Sequence, residues 1–124
     1  HAFLRCLSLN ISNIPRSILK IGMGAFQSGK SLENITIPEN VEIISVNCFM
    51  NCINLKTVDF SIRSKLNEIQ NDAFQECKSL KSILIPQTVT RIGDEAFGEC
   101  LKLESVTFKK EIYENLLVEF QDYL

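Results

Sequence analysis

Leu80-Lys81-Ser82-Ile83-Leu84-Ile85-Pro86, followed in phase by Val89, Ile92, Gly93, Ala96, Phe97 and Cys100, is one unit of a pattern that recurs along the chain. The dipeptide Ala-Phe marks it at Ala2-Phe3, Ala25-Phe26, Ala73-Phe74 and Ala96-Phe97, with Cys48-Phe49 as a variant, so successive steps are 23, 23, 25 and 23 residues. Leu9, Leu32, Leu55, Leu80 and Leu103 advance by the same steps. A fixed period of this length is the signature of stacked repeats, because a unit this small cannot bury its apolar side chains alone and must lay them over those of its neighbours.

Within the unit two local patterns are legible. The alternation in Ile83-Leu84-Ile85, rich in β-branched residues, reads as a short strand with one buried face. Pro86 ends it, since proline has no N–H for a ladder and initiates turns well. Val89 and Ile92 then form a short extended piece that returns to the core, and Gly93-Asp94-Glu95-Ala96-Phe97, with acidic residues early, is suited to a short helical turn. The two additional residues fall between Phe60 and Ile69, which places an insertion near 61–67.

Ser79-Leu80-Lys81-Ser82-Ile83-Leu84-Ile85-Pro86 and Arg91-Ile92-Gly93-Asp94-Glu95-Ala96-Phe97-Gly98-Glu99-Cys100 resemble the BspA-like, or Treponema-type, leucine-rich repeats. The likeness covers roughly residues 2–108. It departs from the pattern where Gly29 replaces the recurring Cys, Ser61 the Pro, Ser45 and Gln70 the Gly, and Ser12 the Ile. The expected fold is an α/β repeat solenoid of the leucine-rich-repeat kind, a right-handed superhelix with a parallel sheet of short strands on one face and short helical turns on the other. Five units of about 23 residues fill 2–108. For 109–124 two readings stay open: an amphipathic helix over Glu111–Tyr123, from the spacing of Ile112, Leu116 and Phe120, or a degenerate unit, since Phe120 lies 23 residues after Phe97.

Composition bounds the function. The chain has 124 residues, 45% of them hydrophobic, enough for one packed domain. Its 13 basic and 15 acidic residues nearly cancel, so no electrostatic footprint points to nucleic acid or to an anionic membrane. No uninterrupted apolar run is long enough to insert into a bilayer. The sole histidine is His1, so a nucleophile-base arrangement would need an unusual base, and Gly22 and Gly24 lack the remaining glycine of a phosphate-binding fingerprint. No catalytic, cofactor or metal site is expected. The spacing Cys48 to Cys52 invites a metal reading, but Cys6, Cys52, Cys77 and Cys100 share one repeat position and Cys48 takes the Ala position. All five are expected as small, buried, free thiols in a column.

The phase also sorts the strand residues that point outward. One lane is Ile11, Asn34, Thr57, Ser82 and Ser105, the next Asn13, Thr36, Asp59, Leu84 and Thr107, with Asn10, Glu33, Lys56, Lys81 and Glu104 flanking. Solenoids use such lanes for binding, so Asn34, Thr36, Lys56, Thr57, Asp59, Lys81, Ser82, Leu84, Ser105 and Thr107 are the candidate binding residues. The face is hydroxylated, nearly neutral and without aromatic anchors, which suits a weak or avidity-dependent binder, or a spacer. Asn10-Ile11-Ser12 and Asn34-Ile35-Thr36 match the glycosylation triplet, but both fall beside the sheet and read as coincidence.

The family resemblance implies a non-enzymatic protein-binding module at the cell surface or secreted, with a host matrix protein or another cell-surface protein as partner. The alternative is an intracellular scaffold or spacer attached to a regulatory or catalytic domain, hence cytoplasmic. Because the first unit opens at its Ala-Phe, the sequence reads as a slice of a longer array, whose open strand edge favours end-to-end self-association.

Overall fold

The computed structural model describes residues 14–109. In that span four-residue strands alternate with two-residue strands: β1 Lys20–Ile21, β2 Asn34–Ile37, β3 Ile43–Ile44, β4 Thr57–Phe60, β5 Glu68–Ile69, β6 Ser82–Ile85, β7 Arg91–Ile92 and β8 Ser105–Phe108. Every pairing is parallel, as it must be when each coil repeats the path of the one before. The short strands form a continuous four-stranded ladder in the order β1-β3-β5-β7. The long strands form two separate pairs, β2-β4 and β6-β8.

The long strands follow from their alternation. In β2 and β6, Ile35, Ile37, Ile83 and Ile85 point inward and are buried, while Asn34, Thr36, Ser82 and Leu84 point outward. Register keeps the columns pure, with Ile35 opposite Val58 and Ile83 opposite Val106. At the short strands a second column runs through Ile21, Ile44 and Ile69, all buried. Its continuation Ile92 is exposed, as are Val106 and Phe108 of β8.

The third wall carries a correction. Helical turns were expected around the Ala-Phe dipeptides, and the described residues contain no helix there. The reason is visible in the backbone hydrogen bonds. Ala25, Gln27 and Gly29 donate to carbonyls three residues back, at 3.1, 3.1 and 3.0 Å, but the alternate donors Gly24, Phe26 and Ser28 reach across to Val46, Cys48 and Met50 of the next coil, at 3.1, 2.8 and 2.8 Å. The same alternation recurs at Asn47, Phe49 and Asn51, which donate to Asn71, Ala73 and Gln75. A helix needs an unbroken run of right-handed residues, and these segments place a left-handed one at Gly24 and Ser28, Asn47 and Asn51, Asp72 and Glu76, and Glu95 and Glu99. Half the amides therefore serve cohesion between coils, and the segment becomes a stacked turn.

That arrangement stacks the phenyl rings of successive coils in one column. Phe26, Phe49 and Phe74 stack with centroids 5.1 Å apart, and Phe97 follows Phe74 at 5.4 Å, with interplanar angles of 3° to 6°. The offset packing of parallel rings adds to the area they bury. The expected insertion is accommodated on the outside: Val41 and Leu66, its equivalent 25 residues on, are both fully buried, so the two extra residues are displaced into the corner between them.

Candidate functional site

The ten candidate residues all lie on the outward side of the long strands or on its flank, and all are exposed. Asn34 pairs in register with Thr57, Thr36 with Asp59, Ser82 with Ser105 and Leu84 with Thr107. The geometry thus gathers them into two patches, one on β2-β4 and one on β6-β8. No ladder pairing joins β4 to β6 among the described residues, although the two strands lie side by side. Ile11, Asn13 and Asn10, which would extend the lanes, lie outside the described residues, as do Cys6 and the segment read as a helix or a degenerate unit.

Neighbouring coils already use part of the polar chemistry of this face. Thr57 Oγ1 donates to Asn34 Oδ1 at 2.6 Å, and Lys56 Nζ contacts Glu33 Oε1 at 3.2 Å. The charge of Lys56 is thus met in part within the stack by Glu33. Leu84, 53% exposed, is the apolar centre of the second patch.

The cysteine column supplies the interior contrast. Cys48, Cys52, Cys77 and Cys100 are free thiols. Cys52, Cys77 and Cys100 donate to the main-chain oxygens of Phe26, Phe49 and Phe74, one coil back, at 3.1, 3.2 and 3.1 Å. Burial pushes the Cys52 thiol up to about 12, and burial together with the neighbouring thiols raises Cys48 and Cys77 well above the ordinary thiol range; Cys100, half-buried, is raised by its burial. Thiols held protonated and bonded inward are poor nucleophiles and poor metal ligands. Among the described residues no group of three or more His, Cys, Asp or Glu side chains is placed to hold a metal ion, and no helix is long and apolar enough to cross a membrane.

Sequence reasoning missed the polar work of the short-strand face. Arg91 Nε approaches Glu68 Oε2 at 3.9 Å, Gln70 Oε1 accepts from the Val46 N–H at 3.3 Å, and Asn71 Oδ1 accepts from the Asp94 N–H at 2.8 Å. These residues border an open cleft of 420 Å³. The available signal was charge in phase: Arg16 and Glu39, Glu33 and Lys56, and Glu68 and Arg91 are each 23 residues apart.

Comparison with known proteins places this geometry in context. A family model described as the BspA type leucine-rich repeat region matches residues 1–119 in 6 copies. Among solved structures, a leucine-rich repeat protein from Bacteroides ovatus is 40% identical with a TM-score of 0.69, over 76% of this chain and 24% of its own. The pneumococcal vaccine antigen PcpA is 28% identical with a TM-score of 0.67, over 75% of this chain and 24% of its own. A leucine-rich cell surface protein from Faecalibacterium prausnitzii is 28% identical with a TM-score of 0.50, over 83% of this chain and 33% of its own. The chain thus spans about a quarter to a third of the solved chains it matches. No curated protein matches it.

Proposed function

Since this chain belongs to the BspA-type leucine-rich repeat family, we propose that it is a non-catalytic, protein-binding segment of a cell-surface recognition protein. The observation that carries this reading is the pair of outward patches on the long strands, where successive coils present side chains in strict register. Such a surface suits an extended protein partner better than a small molecule, because the chemistry is spread along the stack and not gathered in a pocket. Two of the similar structures are of a surface protein and a vaccine antigen, which supports an extracellular partner, a host matrix protein or another cell-surface protein.

A second reading, the spacer or scaffold repeat, draws on a specific observation. The Thr57–Asn34 and Lys56–Glu33 contacts satisfy polar groups within the stack, leaving fewer for a partner. A binding assay against panels of purified matrix and microbial surface proteins distinguishes the two. For any partner found, the triple substitution Lys56→Glu, Lys81→Glu and Leu84→Ser should weaken binding at least about tenfold if the long-strand face is the site. Retention of every interaction by that variant would overturn the long-strand face as the site, and the absence of any partner across the panels would favour the spacer reading.

A further inference from the structure

The corner that follows the long strands departs from the repeat once. In the second coil it reads Pro38-Glu39-Asn40-Val41; in the third, Ser61-Ile62-Arg63-Ser64-Lys65-Leu66, two residues longer. The longer corner is firmly held. Ser61 N–H donates to the Ile37 oxygen at 3.2 Å and Lys65 N–H to the Glu39 oxygen at 2.9 Å, which fixes both ends on the preceding coil. Inside, the Ser61 and Ser64 hydroxyls accept from the amides of Arg63 and Leu66, at 3.3 and 3.2 Å. A corner ordered in this way fixes the backbone from which Ile62 and Arg63 project.

What it holds is a cleft of 390 Å³ against the earlier coils, lined by Arg16, Pro38, Glu39, Ser61, Ile62 and Arg63. Ile62 is 69% exposed at its mouth. Arg63 makes no ion pair among the described residues, and Arg16, with its side chain 83% exposed, meets Glu39 through Nη2 alone, at 3.0 Å. Each guanidinium carries five donors in a fixed fork, so most of that capacity faces outward. Two guanidinium groups against one carboxylate leave the cleft positive, in a chain whose net charge is −2. The positive charge lies directly beside an exposed aliphatic side chain.

The geometry points to a docking cleft for an acidic peptide segment of a partner protein, with a carboxylate taken by Arg63 and Arg16 and an adjacent aliphatic side chain packed on Ile62. Charge complementarity selects this occupant: a basic segment meets two repelling guanidinium groups, and a purely anionic one leaves Ile62 in water. This cleft lies past the C-terminal ends of β2 and β4, so it is separate from the outward lanes and stands or falls apart from them.

Fluorescence anisotropy of the full chain with a fluorescein-labelled peptide, Glu-Leu-Gly-Glu repeated three times, tests the assignment. The expected result is saturable binding, weakened about three- to tenfold by Arg63→Ala and by Ile62→Ser, with amide shifts on peptide addition centred on 61–65. Replacing Leu by Ser in the peptide should give a similar loss, and Lys in place of Glu should abolish binding. Both substituted side chains are exposed, so the variants keep the fold, and the amide spectrum verifies that directly. Absence of binding, binding indifferent to both variants, shifts confined to the β2-β4 lanes, or tighter binding of an oligothymidylate of equal length would each overturn it.

Discussion

The stacked turns and the long-strand face are built from the same repeat and hold together in different ways. At the turns, three alternate amides cross to the next coil at Gly24 to Ser28, at Asn47 to Asn51 and at Asp72 to Glu76, a phenyl ring lies on a phenyl ring, and a thiol bonds to the carbonyl one coil back. On the long strands the ladder is interrupted between β4 and β6, within the one interval that contains the extra residues, while the rings spanning that interval keep their 5.1 Å spacing. The lesson is that coil-to-coil cohesion across this interval resides in the interior turns and the continuous short-strand ladder, not in the long-strand ladder.

The largest test of that contrast is Phe74→Ala. Phe74 is fully buried between two rings, so its truncation should cost about 3–5 kcal/mol, read by chemical denaturation, whereas Phe97→Ala, half-buried at the end of the described column, should cost less. Equal losses at the two positions would break the contrast between the middle of the column and its end. Alkali gives a second, smaller handle on the same column. The thiol pKa values are raised in the fold, so above the ordinary thiol range of about 8.5–9 the unfolded chain releases protons that the folded chain retains, and stability must fall as pH rises. By pH 10 each of Cys48, Cys52 and Cys77 should withdraw on the order of 1 kcal/mol, and Cys52→Ala should flatten the decline in melting temperature between pH 8 and 10. The smallest expected effect is on the outer face. Thr57→Val removes an exposed hydrogen bond to Asn34 and should change stability by less than about 0.5 kcal/mol; a loss of several times that would make the face a structural element after all.

Much of this was legible in the residues. The Ala-Phe and Leu phases gave the coil length, the ring column, the buried positions of Cys48, Cys52 and Cys77, though not the half-exposure of Cys100, and the outward direction of the described lane residues, because each depends only on the repeat and on alternation within a strand. The turn conformation was not legible. Gly93-Asp94-Glu95-Ala96-Phe97 has a composition that suits a helical turn, yet Glu95 adopts φ 54° because the alternate carbonyls of Asp94, Ala96 and Gly98 are claimed by the preceding coil, a non-local demand that local propensity does not register. The short-strand ladder was half legible. Val89 and Ile92 were read as an extended return to the core, but two-residue strands are too brief for periodicity to reveal a sheet, and the cleft formed by Glu68, Gln70 and Asn71 went with it. The interruption between β4 and β6 had no sequence signal beyond the insertion itself, which marked the interval and not its consequence for pairing.

The ring column is the feature from which everything else follows, and aromatic nuclear Overhauser spectroscopy on phenylalanine-labelled protein reads it directly. The account predicts contacts linking Phe26 to Phe49, Phe49 to Phe74 and Phe74 to Phe97, with none between Phe26 and Phe74. Loss of the Phe49 to Phe74 contact, across the coil that carries the insertion, would contradict it.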